Sequence, residues 1–488
     1  MLCCSISCNK SFDLLSTIMS YLPPLNQIAF SVIDLRRTEA WFREGLGFLP
    51  AGGSRIMMSS PLAAMIQGIP KAASTCWWLV GANPWFQIEM FQFRRPVAKL
   101  MPAGFRPCDV GYTRIGVHVA DFDTALSNLA RLGSEPLAPV QGERGKRRAC
   151  VRNPDGVYVE VMEDDPLPQP QPPGTERHCA AAMRSVTLST PDFAASVAYL
   201  TAISGRGPVD IALHDDSHEA LWGLPGARCK RAVFACGDVL VEVVQYLDPI
   251  GKPWPQGYRI CDQGILNIAF GARNKRDHME VYARSQNVGA RPNRAPIHIP
   301  GSGVVYVNDA LGFSVEILWM APGKADREWG FEPLPLGKRA LPDNCRISGT
   351  VKIAAPLDRV WNILNEHEQM GRWIGFDQVA LQRAGVPERN GYSAERHMSG
   401  NLGVVVEQIT SVIAQRQIRY RVIEGSPLHF HQGEITLKPQ GEFTEVDWSI
   451  RFRSKLPFAG LLLRSLMQRL LNRMLHSGLK PYAETKQR

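Results

Sequence analysis

"NPDGVYVEVMED" occupies residues 153–164, and the single carboxylate inside its apolar strand decides how the chain is read. Asn153-Pro154-Asp155-Gly156 is turn chemistry, and the strand that follows alternates. Val157, Val159 and Val161 share one face while Glu160 stands on the other. A carboxylate in such a place needs a partner.

The same strand returns three times. "FQIEMF", "VLVEVV" and "FSVEIL" carry Glu89, Glu242 and Glu316 as lone carboxylates. Each belongs to a module that begins with another alternating strand: "QIAFSVID" (27–34), "RIGVHVAD" (114–121), "SVTLSTPD" (185–192) and "NIAFGARN" (267–274). One face of these opening strands is greasy. The other offers Gln27, then Arg114 with His118, then Ser185, then Asn267. Helical segments such as "RTEAWFREGLGF" follow, so the chain holds four modules of one design. "GFRPCDVG" (104–111) also reappears as "GYRICDQG" (257–264), identical at five of eight positions. The offset implies a duplicated pair of modules, 20–166 and 179–322, joined by a Pro-rich linker at 167–178.

Composition sets the frame. The 488 residues suit about three domains of ordinary globular make-up. A net charge of +9 with mixed signs gives no nucleic-acid footprint. No apolar run approaches the roughly 18 residues of a membrane span, so no stable membrane insertion is expected. Lys10 and Asp13 interrupt the start where a signal peptide needs an apolar stretch, which points to the cytoplasm. Eleven cysteines without a C-x-x-C pair read as reduced, packed thiols. Residues 1–19 are read as a disordered extension or a start-site artefact.

The four modules resemble the vicinal oxygen chelate superfamily, which includes glyoxalase I, bleomycin-binding proteins and extradiol dioxygenases. The resemblance rests on the opening strands ending in Asp, on "LGF" at 46–48 and on "NPDGVYVEV". It implies an α+β fold of four β-α-β-β-β modules forming two curved-sheet cups. In metal-using relatives, a His or Gln of each opening strand and a Glu of each closing strand converge on one divalent ion. Carried over by position, the first cup offers Gln27, Glu89, Arg114 and Glu160, and the second Ser185, Glu242, Asn267 and Glu316.

A guanidinium cannot ligate a cation. Arg114 is therefore expected to replace the ion in the first cup and to pair with Glu89 and Glu160. Gln27 and His118 are its candidate ligand-binding residues, His118 being alternatively a satisfied, half-buried histidine. No cofactor is expected. A weakly held Mg²⁺ or Ca²⁺ in the second cup stays open, whereas the two-histidine, one-carboxylate iron site cannot be assembled. Either Arg231 neutralises Glu242, or Glu242 and Glu316 repel and one is raised into service as a general acid or base. Glu242 and Glu316 are the candidate catalytic residues, with Ser185, Asn267 and Arg231 orienting the substrate. Cys108-Asp109 and Cys261-Asp262 read as turn structure.

Residues 323–344, rich in Pro, Gly and charge, read as a second linker. From 345 to 488 the order "VKIAAPLDRVW", "GEFTEVDWSIRF" and a long Leu- and Met-rich helix resembles the START-like superfamily of polyketide cyclases and lipid or hormone binders. It implies an antiparallel sheet gripping its last helix around an apolar cavity. That helix, bordered by Arg464, Arg469 and Arg473, either covers the sheet or lies on a membrane. His429 and His431 either share a ligand or lie at a sheet edge.

Together these cups suggest an enzyme for an apolar aromatic, polycyclic or polyketide-like molecule, performing metal-independent isomerisation, cyclisation or lyase chemistry. A binding or sequestering protein for a hydrophobic small molecule, and a divalent-metal glyoxalase-like lyase or isomerase, are the alternatives. The chain is expected as a monomer or homodimer.

Overall fold

The computed structural model describes residues 21–54, 57–167, 179, 181–341, 345–400, 403–454 and 460–485. The expected extension at 1–19 and nearly all of the linker at 167–178 lie outside them. Three sheets form among the described residues, of nine, six and seven strands. The fold class is as the resemblance implied.

Each module starts the same way, for a local reason. The last residue of every opening motif caps the helix that follows: Asp34 accepts from the Arg37 N–H, Asp121 from Thr124, Asp192 from Ala195 and Asn274 from Asp277. A short side-chain oxygen there satisfies a backbone donor that the first helical turn leaves open. The greasy faces (Ile28 and Phe30, Ile115 and Val117) join one buried core with these helices. The opposite faces, carrying the glutamates, line the cups.

The pairing of modules corrects the cups expected at 20–166 and 179–322. The opening strand Leu25–Ser31 of the first module pairs antiparallel with Gly264–Ala272 of the fourth, Gln27 facing Ala269. Gly111–Val119 of the second pairs with Ala181–Ser189 of the third, Gly116 facing Ser185. Modules one and four therefore build one sheet, and two and three the other. A duplicated sequence is equally compatible with closure inside each pair or exchange between pairs, because the same strand faces are buried either way.

The duplicated octapeptides mark where the chain crosses over. Asp109 accepts from the N–H groups of Arg106 and Lys252, and Asp262 in the same way from Arg259 and Lys99. The two crossovers thus clasp one another symmetrically. Asp155, from the turn at 153–156, accepts from Ile33 N (3.0 Å), Thr38 Oγ1 (2.6 Å) and Gln263 Nε2 (3.0 Å), so one buried carboxylate ties modules one, two and four together.

Residues 323–341 are packed, and so correct the expected linker at 323–344. Phe331 is buried, Leu334 N donates to Pro50 O (2.8 Å), and a Cβ on Gly330 would meet the Trp78 ring at 2.6 Å. In the C-terminal domain a seven-stranded antiparallel sheet from Cys345 to Arg453 curls around the helical stretch 460–484. Leu471, Leu475, Leu479 and Ala483, four residues apart, form its buried stripe. At Gly478 a Cβ would sit 2.2 Å from Trp373 O, so the closest approach requires glycine. The helix therefore covers the sheet, although Leu461 and Leu462 stay exposed. His429 and His431 lose their common face, because Phe430 has φ 50° and the register shifts between His429 and Gln432. The polar outer face of this sheet rests on the first module through Gln432 Nε2 to Ile33 O (2.6 Å) and Tyr392 OH to Met101 O (2.7 Å).

Exchange between pairs has a direct consequence. Residues 21–166 expressed alone keep the parallel neighbour Gln87–Arg95 of the strand Leu25–Ser31 but lose its antiparallel neighbour Gly264–Ala272, and are expected to give no folded monomer. Co-expression with 181–341 should recover a soluble one-to-one complex by size-exclusion chromatography.

Candidate functional site

Exchange of modules changes which carboxylates meet. In the cup of modules two and three, Glu160 and Glu242 face each other with His214 between them. His214 Nε2 lies 2.8 Å from Glu160 Oε2 and Nδ1 lies 2.9 Å from Glu242 Oε1. Arg114 Nη2 donates to Glu242 Oε2 (2.7 Å), Thr187 Oγ1 to the same oxygen (2.9 Å), and Arg148 Nη1 to Glu160 Oε1 (3.1 Å). Trp222 closes the site, its ring 3.3 Å below the Arg114 guanidinium.

His214, Glu160 and Glu242 have fully buried side chains. Burial alone would raise Glu160, but His214, Arg148 and Arg114 overcome it and hold the carboxyl at about 2. Glu242 is likewise held well below the usual carboxylate range, burial being outweighed by His214 and Arg114. Burial opposes the charge on His214, yet the two glutamates raise its pKa. The cup is a filled, neutralised ion cluster with an imidazolium at its centre.

The cup of modules one and four is built on equivalent positions and has none of these cations. Gln27 Nε2 donates to Glu89 Oε2 (2.8 Å) and to Glu316 Oε2 (3.1 Å), so one amide serves both carboxyls. Trp78 Nε1 (2.9 Å) and Cys76 Sγ (3.2 Å) donate to the other Glu89 oxygen. Burial pushes Glu89 up to about 7 against these hydrogen bonds. Burial and then the Glu89 charge push Glu316 up to about 8, against Tyr306, Gln27 and Asn267. Burial raises both carboxyls, and the Glu89 charge adds to the rise at Glu316, so the two titrate as a coupled pair.

The walls are apolar, with Ile69, Phe91, Phe93, Leu266 and Tyr306 in one cluster and Trp78 at its edge. Trp329 meets Trp78 edge to face across the rim, ring centroids 6.5 Å apart. Glu89 and Glu316 are buried at 8% and 7% exposure, against 0% for Glu160 and Glu242.

Resemblance to metal-using relatives asks whether these residues fit an ion. Glu89, Glu316 and the amides of Gln27 and Asn267 would form an all-oxygen donor set once Gln27 turned its amide oxygen, now on Gln87, toward the glutamates, and both Asn267 amide atoms are buried without an aligned hydrogen bond. Hard divalent ions take such donors. The set fits Mg²⁺, Ca²⁺ or Mn²⁺, though among the described residues no cluster of three His, Cys, Asp or Glu side chains is present to bind a softer ion.

The predicted residues are redistributed accordingly. Arg114 pairs with Glu242 instead of Glu89 and Glu160, because exchange places the third module beside its strand. Glu89 belongs with Glu316, and Glu242, expected either to be neutralised by Arg231 or to repel Glu316, is locked by His214. Arg231 reaches within 4.0 Å of Glu242 but spends its hydrogen bonds on Asp216 and Glu219. Ser185 lies against Gly116, while Thr187, two residues on, supplies the hydroxyl to Glu242. His118 lies 3.7 Å from Asp165 and outside both carboxyl clusters. His214 and Arg148 escaped the repeat-based reading, whereas Thr187 lies on the polar strand face it identified but was passed over for Ser185. The signal for His214 was the stretch 205–227 of module three, long and polar where a strand was expected.

Comparisons with known proteins follow this division. Residues 344–484 match the family model described as polyketide cyclase / dehydrase and lipid transport. Among solved structures, glyoxalase I from Zea mays is 15% identical, covering 61% of this chain and 92% of that one with a TM-score of 0.42. A putative dioxygenase from Bacillus subtilis subsp. subtilis str. 168 is 13% identical, covering 65% and 92% with a TM-score of 0.45. A START superfamily protein from Mycobacterium smegmatis is 18% identical, covering 29% and 98% with a TM-score of 0.27. No curated protein matches the chain.

Removal of the central cation tests the ion cluster. His214→Ala leaves two buried carboxylates facing each other and should cost about 3–5 kcal/mol in urea unfolding at neutral pH. His214 is raised in the fold, so its contribution is complete below its ordinary value and fades as pH rises through the folded one. Glu160 and Glu242 are lowered, so theirs is present above the ordinary carboxylate range and is lost as pH falls through their folded values.

Proposed function

We propose that the chain is a small-molecule enzyme whose chemistry is acid/base catalysis in the cup of modules one and four. One observation carries this reading: Glu89 and Glu316 share a single amide donor in an apolar cup, with no cation acting on either among the described residues. Such a pair holds one proton to give and one lone pair to accept. The protonated carboxyl donates to a substrate carbonyl oxygen while the ionised one takes a proton from the neighbouring carbon. Gln27 keeps both carboxyls in place, and Trp78 and Trp329 narrow the access of water. Isomerisation, cyclisation and elimination next to a carbonyl all follow from this step.

The substrate class is a largely apolar aromatic or polyketide-like molecule with a few oxygens, in keeping with the cup walls. The C-terminal domain, which matches a cyclase and lipid-transport family, serves to bind the same hydrophobic class. No helix among the described residues is long and apolar enough to cross a membrane, and we assign the protein to the cytoplasm.

A second reading has its own support in the buried Asn267 amide, neither atom of which has an aligned hydrogen bond. A divalent ion held by Glu89, Glu316, Gln27 and Asn267 would supply Lewis-acid polarisation of the same carbonyl. Gln27 and Asn267 would then present amide oxygens, and the two glutamates would stay ionised. Calorimetric titration with Mg²⁺ or Mn²⁺ separates the readings: one saturable site per chain, lost in Glu316→Gln, would replace the shared-proton pair.

Proton abstraction is tested with enolisable aryl ketones in D₂O, exchange at the α-carbon being followed by NMR. Glu89→Gln and Glu316→Gln should each slow exchange at least tenfold, within the roughly 10²–10⁴ that a positioned acid or base supplies. His118→Ala should leave it unchanged. Full exchange in both glutamine variants would overturn the assignment.

Stability carries the same signature. Both carboxyls are raised in the fold, so their contribution is complete below about 4.5 and is lost as pH rises through about 7 and 8. Glu316→Gln should flatten this slope and stabilise the protein at alkaline pH, read from urea midpoints against pH.

A further inference from the structure

Away from both cups, a cleft of about 470 Å³ opens where the outer face of the C-terminal sheet meets the first helix of module one. Seven arginines and three carboxylates line it. The carboxylates are largely engaged. Glu39 holds Arg43 (2.7 Å), Glu434 holds Arg419 (3.2 Å), and Asp34 caps its own helix.

Arg37, Arg346 and Arg451 have no carboxylate within ion-pair distance among the described residues, although they come from three separate segments. Arg37 stands in the first helical turn of module one, Arg346 in the strand Cys345–Ile353 and Arg451 in the strand Phe443–Arg453. Arg37 and Arg451 are half-buried and Arg346 is exposed. Burial, and then repulsion from Arg419, lower the Arg37 pKa to about 10.

A packed seam between domains ordinarily matches its charges, since half-desolvated like charges cost stability. Guanidinium forks that line one cleft without a carboxylate in ion-pair distance fit planar or tetrahedral oxyanions, which they bind through paired, charge-assisted hydrogen bonds. Three guanidiniums without a carboxylate in ion-pair distance suit a ligand with more than one negative charge, and the volume accommodates a small organic molecule.

We propose that this interdomain cleft is a binding site for a small phosphate-bearing molecule, a diphosphate or phosphate ester, clamped by Arg37, Arg346 and Arg451. Because its arginines come from both domains, the ligand bridges the cups and the C-terminal domain. The site is independent of the chemistry assigned to Glu89 and Glu316.

The test is isothermal titration calorimetry of the full chain with inorganic phosphate, inorganic pyrophosphate and phenyl phosphate at constant ionic strength. Pyrophosphate or phenyl phosphate is expected to bind saturably, one per chain. Arg451→Gln and the exposed Arg346→Gln should each weaken binding at least tenfold, while Lys324→Gln should not. Tighter binding of phenyl phosphate than of pyrophosphate identifies an ester as the ligand, and the reverse identifies a diphosphate group. Absence of saturable binding by all three at millimolar concentration, or undiminished binding in both arginine variants of unchanged circular dichroism, would overturn the proposal.

Discussion

The antiparallel pairing of Leu25–Ser31 with Gly264–Ala272 decides what every buried charge in the cups can do. It puts Glu89 with Glu316 and leaves Glu160 with Glu242, from four positions that the repeat makes equivalent. In one cup a histidine and two arginines neutralise the carboxyls, and the result is a closed ionic core. In the other, one amide is shared between two acids, and burial without a cation raises both of them. One scaffold thereby carries an ion-filled cup and one whose carboxyls lack a cation among the described residues.

This division explains why sequence alone paired Arg114 and the four glutamates with the wrong partners. A lone glutamate in an alternating strand, repeated four times, is legible because the two-residue period of a strand fixes its face. The terminal Asp or Asn of each opening motif is legible as a helix cap. Exchange was not legible, because duplicated modules present the same faces whether they close on a neighbour or on a distant copy. His214 was hidden for the opposite reason: it lies in a stretch unique to module three. Arg148 stands on a strand that the repeat did not single out.

The segment 323–341 shows how composition misleads. Its Pro, Gly and charge suggest a spacer, yet Gly330 is needed to let the chain pass against Trp78, and Trp329 packs on Trp78 at the cup of modules one and four. The C-terminal domain was legible as a sheet with a covering helix. Its charged outer face, on which the first module rests, depends on how the domains dock and has no sequence pattern of its own.

The central claim is that Glu89 and Glu316 hold one proton between them near neutral pH. Difference infrared spectroscopy of protein with ¹³C-labelled glutamate, recorded across pH, tests it most directly. A protonated glutamic acid signal should persist well above the ordinary carboxylate range of about 4.3, titrate away through about 8, and change in Glu316→Gln but not in His118→Ala. Complete ionisation of all glutamates by about pH 6 would contradict the shared-proton pair and the catalysis built on it.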